Sequence, residues 1–276
     1  MKFLTFLSFL LLSSCTNLFY QPTYYLYAPP EKFKLDYENR IIESLDGTRL
    51  HSWFFPNQDT IKKTKGLVVL FHGNAQNISS HYLSVVWLAK KGFDVLVWDY
   101  RGYGLSQGEP SLEGVHQDSV AILNHVHKMK EDHDYEKLVL IGQSLGGNIL
   151  MRALKDDKKA KEISLVVLDS TFLSYEEIAK DRLQTVWFLY PVSFLAPLLV
   201  SDEYSPKELI KDYPYPAVIL HSKKDTVIPF AFGEEVYSNW GGPKDFWISE
   251  EGGHIELLGK PDSDIQKKLL QRLLKD

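Results

Sequence analysis

Past its first quarter the chain gathers its hydrophobic positions into short unbroken runs, Leu67–Phe71, Val95–Trp98, Leu138–Ile141, Leu165–Leu168 and Ala217–Leu220. Runs of this length without polar alternation read as strands covered on both faces. Between them apolar residues recur at helical spacing. Val115–Met129, for instance, sets Val115, Ala121, Ile122, Val126 and Met129 near one face, with His116, Asp118, His125 and Lys128 mostly on others. Strands alternating with helices predict a doubly wound, mostly parallel sheet. Upstream, Ile41-Ile42 and Leu50–Phe55 flank the tight-turn dipeptide Asp46-Gly47, so an N-terminal antiparallel hairpin opens the domain. At the far end Asp262–Leu274 is amphipathic, with Ile265, Leu269, Leu270 and Leu273 on one stripe. No internal repeat or low-complexity segment is present.

The segment 171–216 breaks this rhythm. Trp187, Phe188, Tyr190, Pro191, Phe194 and Pro197 crowd into it, which predicts a small helical cap over the carboxyl edge of the sheet. The alternative is that these aromatics fill the main core, the commonest fate of such side chains.

The first residues read differently from the rest. Lys2 followed by the apolar stretch Phe3–Leu12 has the form of a signal, since about 20 apolar residues are needed to span a bilayer as a helix. Leu12-Ser13-Ser14-Cys15 resembles the lipobox of bacterial lipoproteins, in which the cysteine becomes the acylated N-terminus. Cys15 is the only cysteine in the chain, and the competing reading is an ordinary secretory signal or an uncleaved amphipathic anchor, with Cys15 incidental. This divides the chain into a signal peptide at 1–14, a tether at 15–30 containing Pro22, Pro29 and Pro30, and a domain at 31–276. The resemblance implies a lipid-anchored protein of the bacterial cell envelope. Thr16, standing where an aspartate would favour the inner membrane, points to the outer one.

Composition narrows the function. A chain of 276 residues with 44% hydrophobic positions suffices for one large α/β domain, while 31 Lys and Arg against 36 Asp and Glu give a net charge of -5. That charge offers no basic field for phosphates, so nucleic-acid binding is not expected. No nucleotide motif is present, and His116, His125, His127 and His133 lie on or just after a polar helix face without H-E-x-x-H spacing. Neither a cofactor nor a metal is expected. His51 and His81 read as surface residues.

The chemistry concentrates elsewhere. Leu138 to Gly147 is a buried strand running into Gly142-Gln143-Ser144-Leu145-Gly146, a G-x-S-x-G turn, and then a helix over Asn148–Leu154. Glycines relieve the crowding of a sharp strand-to-helix turn that lifts the Ser144 hydroxyl clear of the sheet. A serine hydroxyl is a weak nucleophile, so a histidine must take its proton and a carboxylate must orient that histidine. Downstream, His254 follows Gly252-Gly253 after the apparent strand Phe246–Ile248. Asp225 follows the run Ala217–Leu220 by a short loop. Asp169, at the end of Leu165–Leu168, is the rival acid. Phe71-His72-Gly73-Asn74-Ala75 sits where this architecture supplies a second oxyanion donor, so the backbone N–H groups of Asn74 and Leu145 are the expected pair, with Ala75 as the other candidate for the first. His72 is expected to brace the loop.

Together with His72–Asn77 and the string Asp99-Tyr100-Arg101-Gly102-Tyr103-Gly104-Leu105-Ser106, these residues resemble an α/β hydrolase of the Bem46-like group, related to membrane-associated protein depalmitoylases. The resemblance runs from about Phe19 to the C-terminus. It implies an α/β-hydrolase fold, a triad of Ser144, Asp225 and His254, and a structural loop at Asp99–Ser106. The expected activity is hydrolysis of a carboxylic ester or thioester, with a small-molecule or acylated substrate. An amidase or peptidase, or a non-catalytic envelope lipoprotein, are the alternatives.

Overall fold

In the computed structural model, which describes residues 19–59, 63–185, 190–195 and 200–275, eight strands form one sheet. They are β1 (Glu38–Glu43), β2 (Arg49–Phe55), β3 (Gly66–Phe71), β4 (Asp94–Trp98), β5 (Lys137–Gln143), β6 (Leu165–Asp169), β7 (Ala217–Ser222) and β8 (Lys244–Ser249), in the order 1-2-4-3-5-6-7-8. Pairing is antiparallel from β1 to β2 and from β2 to β4, and parallel for every later neighbour. Six α-helices accompany the sheet among the described residues: α1 (Ile78–His81), α2 (Leu112–His133), α3 (Leu145–Ala153), α4 (Tyr175–Thr185), α5 (Phe230–Asn239) and α6 (Asp264–Leu274). This is an α/β-hydrolase architecture.

The unbroken apolar runs are explained by the two faces of the sheet. Successive side chains of a strand point to opposite sides. In β3, Leu67, Val69 and Phe71 join a core with Val115, Ile122 and Val126 of α2 and Ile149 of α3, while Val68 and Leu70 join a second core with Leu88 and with Leu269 and Leu273 of α6. Each such side chain fully removed from water contributes about 1.5–3 kcal/mol.

Local signals fix the boundaries. The hairpin turn is closed by Ser44 N–H to Thr48 O at 2.8 Å, and Gly47 takes φ +83°, which explains its glycine. Helix α2 starts earlier than its apolar stripe because the Ser111 hydroxyl accepts the Gly114 N–H at 3.0 Å. Ser263 caps α6 in the same way, accepting from Gln266 N–H at 3.1 Å.

Tertiary packing overturns one reading of the polar face. His51, His81 and His127 are buried, not superficial. His127 is covered by the turn carrying Asp157 and Glu162, each 2.9 Å from one ring nitrogen.

Within 171–216 the described residues form α4, a short 3-10 stretch at Tyr190–Leu195 and a path back to β7. Phe194 is exposed, whereas Tyr213 and Tyr215 enter the main core. Trp187, Phe188 and Pro197 lie outside the described residues, as do Cys15 and the signal-like segment. Among the described residues no helix is long and apolar enough to cross a membrane.

Arg101 ties the antiparallel edge to the parallel core. Its guanidinium donates to Asp118 at 2.7 and 3.1 Å, to Asp46 at 2.9 Å and to the Ser44 hydroxyl at 3.2 Å. Asp118 is fully buried. Arg101→Ala strands that carboxylate without its partner and is expected to lower unfolding free energy by about 3–5 kcal/mol in urea titration. A loss under 1 kcal/mol would mean that water reaches Asp118 in the variant.

Candidate active site

β5 ends in a turn that the chain can make only with glycine. A Cβ on Gly146 would lie 2.2 Å from Phe71 O and 2.3 Å from His72 O, and one on Gly142 would lie 2.6 Å from the Gly147 Cα. The turn therefore presses α3 against the end of β3, and Ser144 at its apex takes φ +53°. A serine rarely adopts that left-handed conformation, and sites that do so store strain at functional positions. Its backbone is held from three sides. Ser144 N–H donates to Asp169 O at 2.9 Å, while Ser144 O accepts from Gly147 N–H at 3.0 Å and from the Thr171 hydroxyl at 2.7 Å.

The loops after β7 and β8 bring the other two predicted residues together. His254 Nδ1 donates to Asp225 Oδ2 at 2.8 Å. The second carboxylate oxygen, Oδ1, accepts the N–H groups of Val227 at 2.8 Å and Ile228 at 2.9 Å, so the acid cannot rotate away from the imidazole. Burial alone would raise the Asp225 carboxyl. The bonds from His254 and from these two amides overcome it and hold the group below the ordinary carboxylate value. The His254 loop is itself tied down, since the Ser222 hydroxyl donates to Gly252 O at 2.5 Å. No hydrogen bond joins the Ser144 hydroxyl to His254 among the described residues, although both lie at the carboxyl edge of the sheet.

Asp169 is placed differently. It is fully buried at the end of β6, where it accepts from Gln143 Nε2 at 2.9 Å and from the Ser170 hydroxyl at 3.2 Å. Burial pushes its carboxyl up to about 6. It makes no hydrogen bond to His254, and through Gln143, which accepts from Ser84, it braces the strand that leads into Ser144.

Asn74 and Leu145 line the same cavity as Ser144. Leu145 opens α3, so its N–H has no partner within the helix and sits at the positive end of the helix dipole. At the other loop the choice between Asn74 and Ala75 narrows, because the Ala75 N–H is already taken by Asn74 Oδ1 at 2.8 Å. His72 lies beneath the loop: its Nδ1 donates to Gly73 O at 2.7 Å and its ring stacks on His81 at 5.1 Å between centroids. From the string Asp99–Ser106, Tyr100 donates to His72 O at 3.0 Å and Tyr103 to Asn74 Oδ1 at 3.0 Å. Asp99 accepts the Ile78 N–H at 2.8 Å. That string buttresses the loop that carries Asn74.

A cavity of about 280 Å³ opens beside Ser144. Phe172, Ile178, Ala179 and Leu183 supply an apolar wall from the start of the cap segment and α4, Val227 and Ile228 face them, and Phe19 enters from the N-terminal stretch. Sequence reasoning did not single out Phe19, Arg182 or the buttress Tyr103–Asn74. Neither periodicity nor a motif marks Phe19 or Arg182, and the bond from Tyr103 to Asn74 joins two motifs whose contact no local pattern shows.

His81 offers a test of how the loop is held. Its Nε2 donates to Ala75 O at 3.1 Å, and burial, reinforced by His72, lowers its pKa to about 4. Once unfolded it takes a proton near its ordinary value of about 6.5. The unfolded chain therefore binds the extra proton between those values, and stability complete above about 6.5 is lost as pH falls through about 4. His81→Gln should flatten this part of the stability profile between pH 6.5 and 4 in denaturant titrations. An unaltered slope would show that the ring gains its proton without unfolding.

The family model described as serine aminopeptidase, S33 (Hydrolase_4) matches residues 62–212. The uncharacterized protein YfhR of Escherichia coli (strain K12) is 33% identical over 255 residues, 91% of this chain and 84% of its own length. Protein bem46 of Schizosaccharomyces pombe is 29% identical over 204 residues, 72% of this chain and 64% of that protein. Among solved structures, the Pyrococcus furiosus esterase Pf2001 superimposes with a TM-score of 0.70 at 19% identity, covering 92% of this chain and 98% of that one. Motif order, sheet topology and these similarities lead to one conclusion: the chain belongs to the serine aminopeptidase, S33 (Hydrolase_4) family of α/β hydrolases.

Proposed function

We propose that the protein is a membrane-tethered serine hydrolase that cleaves a carboxylic ester or thioester through an acyl-enzyme on Ser144. The observation behind this reading is the pairing of Asp225 with His254 at 2.8 Å at the same edge of the sheet as a serine held at φ +53°. With its Nδ1 proton directed at Asp225, His254 keeps a lone pair on Nε2. That nitrogen takes the Ser144 proton as Oγ attacks the substrate carbonyl. The free-enzyme contact between nucleophile and base is commonly loose and tightens when substrate binds. Negative charge developing on the carbonyl oxygen is met by the N–H groups of Asn74 and Leu145. His254 then gives its proton to the leaving alcohol or thiol. In the second half it activates water, which attacks the acyl carbon and returns Ser144 to its free form.

The cavity supports an acyl group over a free peptide amine. Its wall is apolar, and among the described residues its lining contains no carboxylate to receive an ammonium; the charged residue among them is Arg182, a cation. The tether rests on Lys2, the apolar Phe3–Leu12 and the lipobox-like Leu12–Cys15. Phe19, which lines the cavity, lies four positions beyond Cys15, and four extended steps of the chain reach at most about 14 Å. A lipid on Cys15 would thus keep the cavity close to the bilayer, and exposed Tyr24, Tyr25 and Leu26 are suited to such an interface.

Fluorophosphonate labelling followed by intact mass tests the nucleophile. Single labelling of the wild type, abolished in Ser144→Ala and His254→Ala, is expected; a folded wild type that takes no label would sink the enzyme reading and leave a binding protein. Asp225→Asn should lower kcat by about 10⁴-fold with folding intact, since it presents the wrong tautomer of the histidine. Matched p-nitrophenyl esters and anilides decide the bond, with faster turnover of the anilide pointing instead to a peptidase or amidase.

A further inference from the structure

The stretch Phe19–Ala28 is a strap laid across the active-site loop, not a free spacer. Gln21 N–H donates to Asn74 Oδ1 at 2.9 Å and to the Tyr103 hydroxyl oxygen at 3.1 Å. Pro22 bridges Gln76 in parallel. Thr23 O accepts from Gly104 N–H at 3.1 Å and, like Tyr25 O, from Asn77 Nδ2 at 2.9 Å. Farther along, Tyr27 N–H reaches the Ser79 hydroxyl at 2.9 Å and Ala28 N–H reaches Ser79 O at 3.1 Å. Tyr20 is buried in the main core and anchors the strap at its start.

The loop beneath needs holding. Ala75 and Gln76 take φ +58° and +59°, a left-handed pair that residues with a Cβ keep only when the surroundings enforce it. Asn74 Oδ1 gathers three donors, the N–H groups of Gln21 and Ala75 and the hydroxyl of Tyr103. One of the three comes from the strap. Ahead of it Phe19 lies against Tyr175, with ring centroids 5.0 Å apart, and forms part of the cavity wall.

We propose that the strap is a working part of the active site: Gln21 is a positioning residue that, through Asn74 Oδ1, sets the Asn74 N–H toward the reacting carbonyl, and Phe19 limits the length of the acyl group. The proposal rests on the serine-hydrolase reading of Ser144. It follows that the segment leading to the membrane anchor is continuous with the wall of the substrate cavity.

The test uses the full chain in detergent. Gln21→Pro deletes the N–H that Asn74 accepts, and kcat should fall about 10-fold for every ester length with little change in KM, a fraction of the 10²–10³-fold typical of removing an oxyanion donor outright. Gln21→Ala, which keeps the N–H, should recover it. Should Gln21→Pro fail to fold, Tyr103→Phe removes a second donor to the same oxygen without loss of bulk and is expected to act in the same direction. Phe19→Ala should shift the KM-based preference toward longer p-nitrophenyl esters. Melting midpoints are recorded alongside, so that a kcat loss without a melting shift separates positioning from general destabilisation. Unchanged kcat in Gln21→Pro and Tyr103→Phe overturns the brace, and an unmoved chain-length profile in Phe19→Ala overturns the wall. A wild type that takes no fluorophosphonate label fails at Ser144 itself and removes the proposal with the reading beneath it, whereas a labelled wild type with indifferent strap variants refutes the strap alone.

Discussion

The close approach of α3 to the end of β3 is the constraint from which the site follows. Gly146 comes so near the carbonyls of Phe71 and His72 that no side chain fits between them. Because that contact fixes where the helix begins, Ser144 must turn through a left-handed conformation to enter it. The same contact sets the helix N-terminus, with its free Leu145 N–H, beside the loop that carries Asn74. Ser144 and the two backbone N–H groups proposed to hold the anion thus derive their placement from one piece of steric geometry, and the parallel pairing of β3 with β5 supports it from below.

Electrostatics completes what sterics begins. Three buried acids find different solutions to their desolvation. Asp225 remains charged because an imidazole and two backbone amides surround it. Asp118 has a bidentate guanidinium. Asp169 has only an amide side chain and a hydroxyl, and its carboxyl rises to about 6. The acid after β7, which holds the histidine, has donors enough to outweigh its burial, whereas the two donors to the acid after β6 do not.

Connectivity gives the site its remaining wall. The chain reaches the domain as the strap Phe19–Ala28, crosses the Asn74 loop and only then enters the sheet at β1. Backbone N–H and C=O groups of the strap are satisfied by side chains and scattered backbone groups of the domain and not by a sheet ladder. It has the energetics of a docked loop, individually modest bonds that act together to hold a left-handed pair of residues.

Much of this was legible in the chain itself. Unbroken apolar runs announced strands buried on both faces, Asp46-Gly47 announced the hairpin, and the glycines around Ser144 announced the elbow, because each is a local rule of sterics or periodicity. That Ser144, Asp225 and His254 would lie at one edge was readable too, since loops at the carboxyl ends of parallel strands gather there. The burial of His51, His81 and His127 was not, nor was the part of Phe19 in the cavity or the gathering of donors on Asn74 Oδ1. Those depend on which distant segment covers a given surface. Sequence fixed the elements and the chemistry at their ends through short-range forces, whereas burial, protonation and the shape of the cavity were decided by packing between residues far apart in the chain, where no local pattern operates.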